Sequence, residues 1–226
     1  MIELVKYILK PQESLENDKS FYSTILMFFM LIVISFLLKA LSVLIIQSLY
    51  NLEVIPEFKR DLGASTNSIR NNIFYAALLF PILEELSFRL YLKRNVINIF
   101  ISSFFMTYMI VTNFIFQTST FSLSENGLIR ILISLTVALL ILYIHKMKKI
   151  KLKFNLLYYL SALLFGLVHI YNYDYTNYKV LIFAIIICLP QIIGGLFYGY
   201  TRIKYGIIGS IILHMLTNGL PMLLLK

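Results

Sequence analysis

Three short motifs place ionisable and amide side chains inside apolar stretches of the chain. The first, FPILEELSFRL, contains Glu84, Glu85 and Arg89. Glu85 and Arg89 have the spacing at which a carboxylate and a guanidinium meet on one face of a helix. Glu84 points about 100° away from Glu85 around the helix, so it can face another element. This arrangement can supply a glutamate as a general base. The alternative is that all three residues lie near the lipid headgroups.

The other two motifs contain histidines. LLFGLVHIYN places Phe165 four residues before His169, and GSIILHMLTNGL places His214 four residues before Asn218. His214 and Asn218 therefore share one helix face and can present hydrogen-bond donors to one point. Taken singly, each motif also has a structural explanation, because His and Asn form hydrogen bonds between membrane helices.

The motif residues have similar predicted depths in the membrane. At about 1.5 Å per residue, Glu84, His169, His214 and Asn218 all fall roughly 10–20 Å from the same membrane surface. We therefore expect one buried pocket, since packing alone does not readily explain three such segments at one depth. Glu84, His169 and His214 also form a two-histidine, one-carboxylate set that would suit Zn²⁺ or another divalent ion.

The elements that position these residues must be membrane helices. The chain has 226 residues, of which 59% are hydrophobic and 14% charged, whereas soluble domains are about 45–50% apolar and about 25% charged. This excludes a soluble enzyme, a disordered chain, a collagen and a disulfide-rich secreted domain. The apolar runs are continuous rather than alternating, which favours helices over a barrel. We predict an all-α, polytopic membrane helix bundle of about seven transmembrane helices, approximately at Phe21–Tyr50, Ile73–Leu92, Ile97–Gln117, Leu128–Ile144, Asn155–Tyr171, Val180–Tyr200 and Gly206–Leu225.

Residues 1–20 are predicted to form a cytoplasmic N-terminal segment, followed by a transmembrane domain over residues 21–226. The N-terminal segment contains either a short interfacial helix or a frayed terminus. The N-terminal side would carry Lys6, Lys10, Lys19, Lys93, Arg94, Lys146, Lys148, Lys149, Lys151, Lys153, Arg202 and Lys204. The opposite side would carry about half as many basic residues: Lys59, Arg60, Arg70, Arg130, Lys179 and Lys226. By the positive-inside rule, this bias predicts a cytoplasmic N-terminus.

The net charge of +9 is also explained by basic residues that lie beside the membrane spans. Basic residues beside membrane spans usually set topology and contact anionic lipid, so we expect anionic lipid as a partner and no nucleic acid. Lys39 is different because it lies inside the first apolar run. Its side chain either snorkels to the surface or marks a partner within the bundle.

The ordered motifs EExxxR, FxxxH and HxxxN, each in an apolar span, resemble those of the CAAX protease and bacteriocin-processing family of intramembrane proteases, also known as the Abi family. The resemblance covers a protease-like core of about residues 73–220. Two features depart from the family pattern. Leu90 follows the motif arginine where glycine is frequent, and two apolar spans separate the first motif from the second, which puts the span arrangement in question more than the chemistry.

The resemblance implies a role for each motif residue. Glu84 and His169 would activate a water molecule, His214 and Asn218 would stabilise the oxyanion, and Glu85 and Arg89 would support Glu84. It favours a glutamate mechanism without metal or other cofactor, and Zn²⁺ on Glu84, His169 and His214 is the less favoured alternative.

The resemblance also implies a substrate, which would be a membrane-bound or lipid-tethered peptide. The abundance of Ile, Asn, Lys and Tyr indicates an AT-rich bacterial genome and hence a bacterial cytoplasmic membrane. Two other functions stay open from the sequence. One is a non-catalytic immunity or regulatory protein of the same fold, and the other is a proton-coupled transporter, for which no inverted repeat is visible.

Overall fold

The computed structural model describes residues 2–15, 20–56, 73–123, 126–148, 152–173 and 177–224. Within these ranges the chain forms helices joined by turns, without a β-strand. The α-helices found among the described residues are α1 (Ile2–Leu9), α2 (Phe21–Asn51), α3 (Phe80–Phe88), α4 (Val96–Ile110), α5 (Gly127–Lys148), α6 (Phe154–Val168), α7 (Tyr178–Ile182), α8 (Ala184–Ile187) and α9 (Leu189–Leu224). The predicted all-α class is confirmed.

Five helices in the described ranges are long and apolar enough to cross a membrane. They are Tyr22–Asn51, Val96–Phe116, Gly127–Met147, Phe154–Asn172 and Leu189–Leu223. Large apolar side chains on these helices are exposed, as expected for surfaces that face lipid rather than water.

Helix α9 is two helical arms joined at Gly206. This glycine has φ 81° and ψ −176°, a conformation essentially restricted to glycine. Ser210 Oγ lies 2.9 Å from the Tyr198 carbonyl oxygen, and the Tyr198 and His214 rings stack at 4.2 Å. Twelve residues of straight helix would span about 18 Å, so the arms must run back along each other. The first arm (189–205) and the second arm (207–224) correspond to the last two predicted spans.

The second predicted span, Ile73–Leu92, changes helix type along its length. A π-helical turn at Tyr75–Leu79 leads into α3, and a 3₁₀ turn at Leu90–Leu92 follows it. Pro81 explains the first change, because it has no N–H to continue the regular α-helical ladder. With this passage included and the two arms of α9 separated, helical segments occupy each of the seven predicted stretches.

Helix α6 packs closely on the first arm of α9. A Cβ atom added at Gly195 would lie 2.9 Å from Ala162 Cα, so only glycine permits this approach. The small residue lets the two backbones approach closely. This contact sets the position of the end of α6, where His169 lies.

Residues Ile2–Leu9 form α1, and one face of this helix packs on the protein. Leu4 and Tyr7 are buried, and the Tyr7 ring contacts those of Tyr158 and Tyr200 at 5.4 and 5.3 Å. Lys204 Nζ lies 2.6 Å from a Glu3 carboxylate oxygen. These contacts hold α1 against one end of the bundle.

Three basic residues that we counted with the loop charges are buried instead. Arg130, Arg202 and Lys204 are each at most 5% exposed. Their hydrogen-bond partners are backbone oxygens, Thr112 and Glu3, which hydropathy alone does not reveal. Other residues used for the orientation lie outside the described ranges, namely Lys19, Lys59, Arg60, Arg70, Lys149, Lys151 and Lys226.

Candidate active site

The Glu84 carboxylate is the meeting point of three helical segments. Glu84 lies on α3 and is 5% exposed. Its Oε1 is 3.8 Å from His169 Nε2, at the end of α6, and its Oε2 is 3.4 Å from His214 Nε2, on the second arm of α9. The structure therefore places two of the predicted site residues, His169 and His214, beside the buried carboxylate of a third, Glu84.

His169 is oriented by its own helix. Its Nδ1 lies 2.7 Å from the Phe165 carbonyl oxygen, and the Phe165 ring contacts the imidazole edge-on at 4.9 Å. A carbonyl oxygen only accepts, so Nδ1 carries the hydrogen and Nε2 turns toward Glu84. This explains the FxxxH spacing, since the carbonyl and the ring both come from the residue four positions earlier.

His214 lies between the two glutamates. Its Nδ1 is 2.9 Å from Glu85 Oε1, while its Nε2 faces Glu84. Ser210, one helical turn earlier, donates its hydroxyl hydrogen to Glu85 Oε2. The Tyr198 ring stacks on the imidazole, with 18° between the planes. Glu85, which is fully buried, thus fixes the orientation of His214.

Arg89 contributes charge to the site without a hydrogen bond from its guanidinium. Its Nε lies 3.9 Å from Glu85 Oε2, and its guanidinium carbon lies 4.2 Å from the centre of the Phe165 ring. Its three side-chain nitrogens are buried and have no hydrogen-bond partner in the described part of the chain. The guanidinium therefore acts through its proximity to Glu85 and through a cation–π contact.

Asn218 lies on the same face as His214 but hydrogen bonds elsewhere. Its Nδ2 donates to the Ala76 carbonyl oxygen at 3.3 Å. In the π-helical turn the Phe80 N–H donates to Tyr75, and the next residue, Pro81, has no N–H to offer Ala76. Asn218 donates one of its two amide hydrogens to the Ala76 carbonyl oxygen in place of the missing N–H. The second amide hydrogen is not used in this bond.

A cavity of about 140 Å³ opens beside the histidines. It is lined by Lys39, Phe165, His169, Pro190, Gln191, Tyr198, His214 and Asn218. Sequence reasoning did not include Tyr198 and Gln191 on the first arm or Ser210 on the second, because no local pattern shows which residues of the two arms face each other. The sequence did single out Lys39, because it is the lone ionisable residue inside its apolar run.

The residues of the alternative metal site are Glu84, His169 and His214. They lie close together, but their side chains are not arranged as a set of metal ligands. Within the described residues, no group of three or more His, Cys, Asp or Glu side chains is arranged to hold a metal ion. Both histidine Nε2 atoms instead face carboxylate oxygens directly. The arrangement suits acid–base chemistry between carboxylate and imidazole.

Comparison with known protein families identifies a match to this chain. The family described as Type II CAAX prenyl endopeptidase Rce1-like matches residues 67–220. The chain belongs to this family. Membership confirms the resemblance to the CAAX proteases and, together with the apolar helices, makes the chain an integral membrane protein and a protease of the CAAX type. No curated protein and no solved structure matches the chain.

The Rce1-like match covers all three motifs and omits α1 and α2. It therefore includes Glu84, His169, His214 and Asn218, but not Lys39. The cavity beside the histidines combines residues from the matched region with one residue from outside it.

Proposed function

We propose that this protein is an intramembrane endopeptidase that hydrolyses a peptide bond in a membrane-associated or lipid-tethered peptide. Water is the nucleophile, and Glu84 with His169 activates it. The observation that supports this most directly is the buried Glu84 carboxylate, which faces Nε2 of both His169 and His214 within 4 Å.

In the proposed reaction Glu84 accepts a proton from water as the oxygen attacks the carbonyl carbon. The C–N bond then breaks, and the proton passes to the leaving amine. His169 Nε2 lies beside Glu84 and assists these transfers. General acid–base help of this kind contributes about 10²–10⁴-fold in rate.

Asn218 and His214 are proposed to stabilise the oxyanion that forms on the substrate carbonyl. Both line the cavity, and Asn218 keeps one amide hydrogen besides the one given to Ala76. One donor aimed at the developing charge is worth about 10²–10³ in rate. Glu85 and Arg89 support the site, since Glu85 orients His214 and Arg89 lies beside Glu85.

We place no metal or other cofactor in this mechanism. The test is elemental analysis of the purified protein, together with activity before and after chelation. Activity that persists with metal removed supports the glutamate mechanism. Activity lost on chelation and restored by Zn²⁺ would assign Glu84, His169 and His214 as ligands instead.

We further propose a bacterial cytoplasmic membrane as the location, with the N-terminus in the cytoplasm. Amino-acid composition supports the first point and the excess of basic residues on the N-terminal side supports the second. The partners would be a membrane-bound peptide or protein substrate and anionic lipid.

The function is tested by membrane peptidomics of cells that express wild type or Glu84→Gln at equal levels. Glu53→Gln is a matched control, because Glu53 is an exposed carboxylate outside the site. We expect a set of released peptides with wild type and Glu53→Gln that is missing with Glu84→Gln. If Glu84→Gln yields the same peptides or the same phenotype as wild type, the protein acts by binding and the proposal is wrong.

A further inference from the structure

Lys39 brings a positive charge to the cavity from outside the family match. It lies inside α2, and its Nζ donates to the Tyr198 hydroxyl oxygen at 3.1 Å. An ionisable side chain within an apolar membrane helix is costly and usually faces the bundle interior or a cavity. Here the Lys39 side chain lines the same cavity as His169, His214 and Asn218.

The first arm of α9 makes room for this ammonium group. A Cβ atom at Gly194 would lie 3.1 Å from Lys39 Cε and 3.2 Å from Nζ. Nζ also lies 5.5 Å from the centre of the Tyr198 ring, whose other contacts include the stacked His214. Lys39 is thus held against the aromatic ring that positions a proposed oxyanion donor.

The carboxylates of the site already have other partners. Glu84 faces two histidines, while Glu85 contacts Arg89, His214 and Ser210. Among the described residues, Lys39 makes no ion pair within 4 Å. An ammonium group has three hydrogens, and Tyr198 accepts one of them. Within the part of the chain that the structure describes, two hydrogens of this ammonium group therefore have no hydrogen-bond acceptor.

We propose that Lys39 binds a carboxylate of the peptide substrate next to the hydrolytic site. This proposal rests on the proposed function, because it takes the molecule bound in the cavity to be the peptide substrate. A carboxylate matches the charge of the ammonium, and the small cavity beside the histidines admits either a chain end or a short acidic side chain. Lys39 is then a specificity-determining residue that selects for a negative charge close to the scissile bond.

The test is a binding measurement on the full chain in liposomes, in a Glu84→Gln background so that no probe is consumed. The probe is a prenylated peptide with a C-a-a-X end, prepared with a free C-terminal carboxylate or with a C-terminal amide. A third peptide carries the amide and an Asp at the last position, which separates a chain end from an acidic side chain as the source of the carboxylate.

With Lys39 present, we expect the free carboxylate or the Asp peptide to bind about ten to one hundred times more tightly than the neutral amide. Lys39→Met should abolish this preference while leaving the affinity for the neutral amide unchanged. Lys39→Arg should retain most of it, because the charge is kept.

Gly194→Ala provides an independent variant. The added methyl would press on the flexible end of Lys39, and it would also lie 3.3 Å from Tyr198 Cε2, so both neighbours must shift slightly. The preference should therefore fall while the unfolding temperature changes little. Equal binding of all three probes, equal weakening of all three by Lys39→Met, or no binding of either carboxylate probe would overturn the proposal. Selective binding of the carboxylate probes, together with no hydrolysis by the protein that retains Glu84, would refute the proposed function. The proposal for Lys39 would then still stand.

Discussion

Two arginines among the described residues, Arg89 and Arg130, are fully buried, and their surroundings differ. Arg89 lies beside Glu85 and over the Phe165 ring, and none of its side-chain nitrogens has a hydrogen-bond partner in the described residues. Arg130, on α5, donates from Nη1 to Thr112 Oγ1 and the Ser119 carbonyl oxygen, both at 3.2 Å, and from Nη2 to the Ser122 carbonyl oxygen.

We interpret this difference as one between an arginine that supports the proposed site and an arginine that supports the fold. Arg130 links α5 to the turn that follows α4, and its described partners are neutral oxygens. Arg89 has a carboxylate neighbour, and that carboxylate orients His214. Burial alone therefore does not identify a functional arginine, whereas the type and number of its contacts do.

Among the substitutions that test this contrast, Arg89→Met has the largest expected effect on activity. Removing one partner of a buried ion pair costs about 3–5 kcal/mol of stability, because the other charge stays buried. We also expect the cleavage rate per folded molecule to fall at least tenfold, since Glu85 would no longer hold His214 reliably. Denaturant unfolding in detergent and peptide cleavage measure the two effects. A stable variant with full activity would show that Arg89 does not serve the site.

Arg130→Met should affect stability alone. Three oxygens lose a charged donor, and one such hydrogen bond is worth about 1.5–3 kcal/mol. We expect a loss of at least this size and faster proteolytic nicking in residues 117–123, with cleavage activity per folded molecule within twofold of wild type. A tenfold loss of activity in correctly folded protein would erase the contrast with Arg89.

The smallest expected effects come from two matched substitutions that each remove one hydroxyl group, and they test the same contrast. Ser210→Ala removes a donor to Glu85, and Thr112→Val removes an acceptor from Arg130. Each should cost about 1–2 kcal/mol in unfolding free energy. Only Ser210→Ala should also reduce activity, by a few-fold, because it loosens the carboxylate that orients His214. Equal activity of the two variants would contradict this assignment.

Much of the site was predictable because its residues obey helical spacing. The Glu85–Arg89 pair and the shared face of His214 and Asn218 follow from the four-residue repeat of a helix. The predicted depths likewise brought Glu84, His169 and His214 to one level. The membrane restricts the chain to helices, so the seven apolar stretches largely define the architecture.

The remaining features depend on how helices meet, which spacing within one helix does not encode. Tyr198 reaches His214 only because the arms of α9 fold back at Gly206. The Asn218 contact with Ala76 depends on a carbonyl that Pro81 leaves open. Arg130 was expected among the loop charges. Hydropathy could not reveal its burial, because its hydrogen-bond partners belong to a turn whose path hydropathy does not show.

The central claim is that Glu84 activates the attacking water, and it is tested most directly with purified protein in liposomes. The measurement is the cleavage rate of Glu84→Gln relative to wild type on one peptide substrate, with unfolding temperature as the check on the fold. We expect the rate to fall at least about one hundredfold while the unfolding temperature stays close to that of wild type. A correctly folded Glu84→Gln protein that cleaves at a rate within twofold of wild type would contradict the claim.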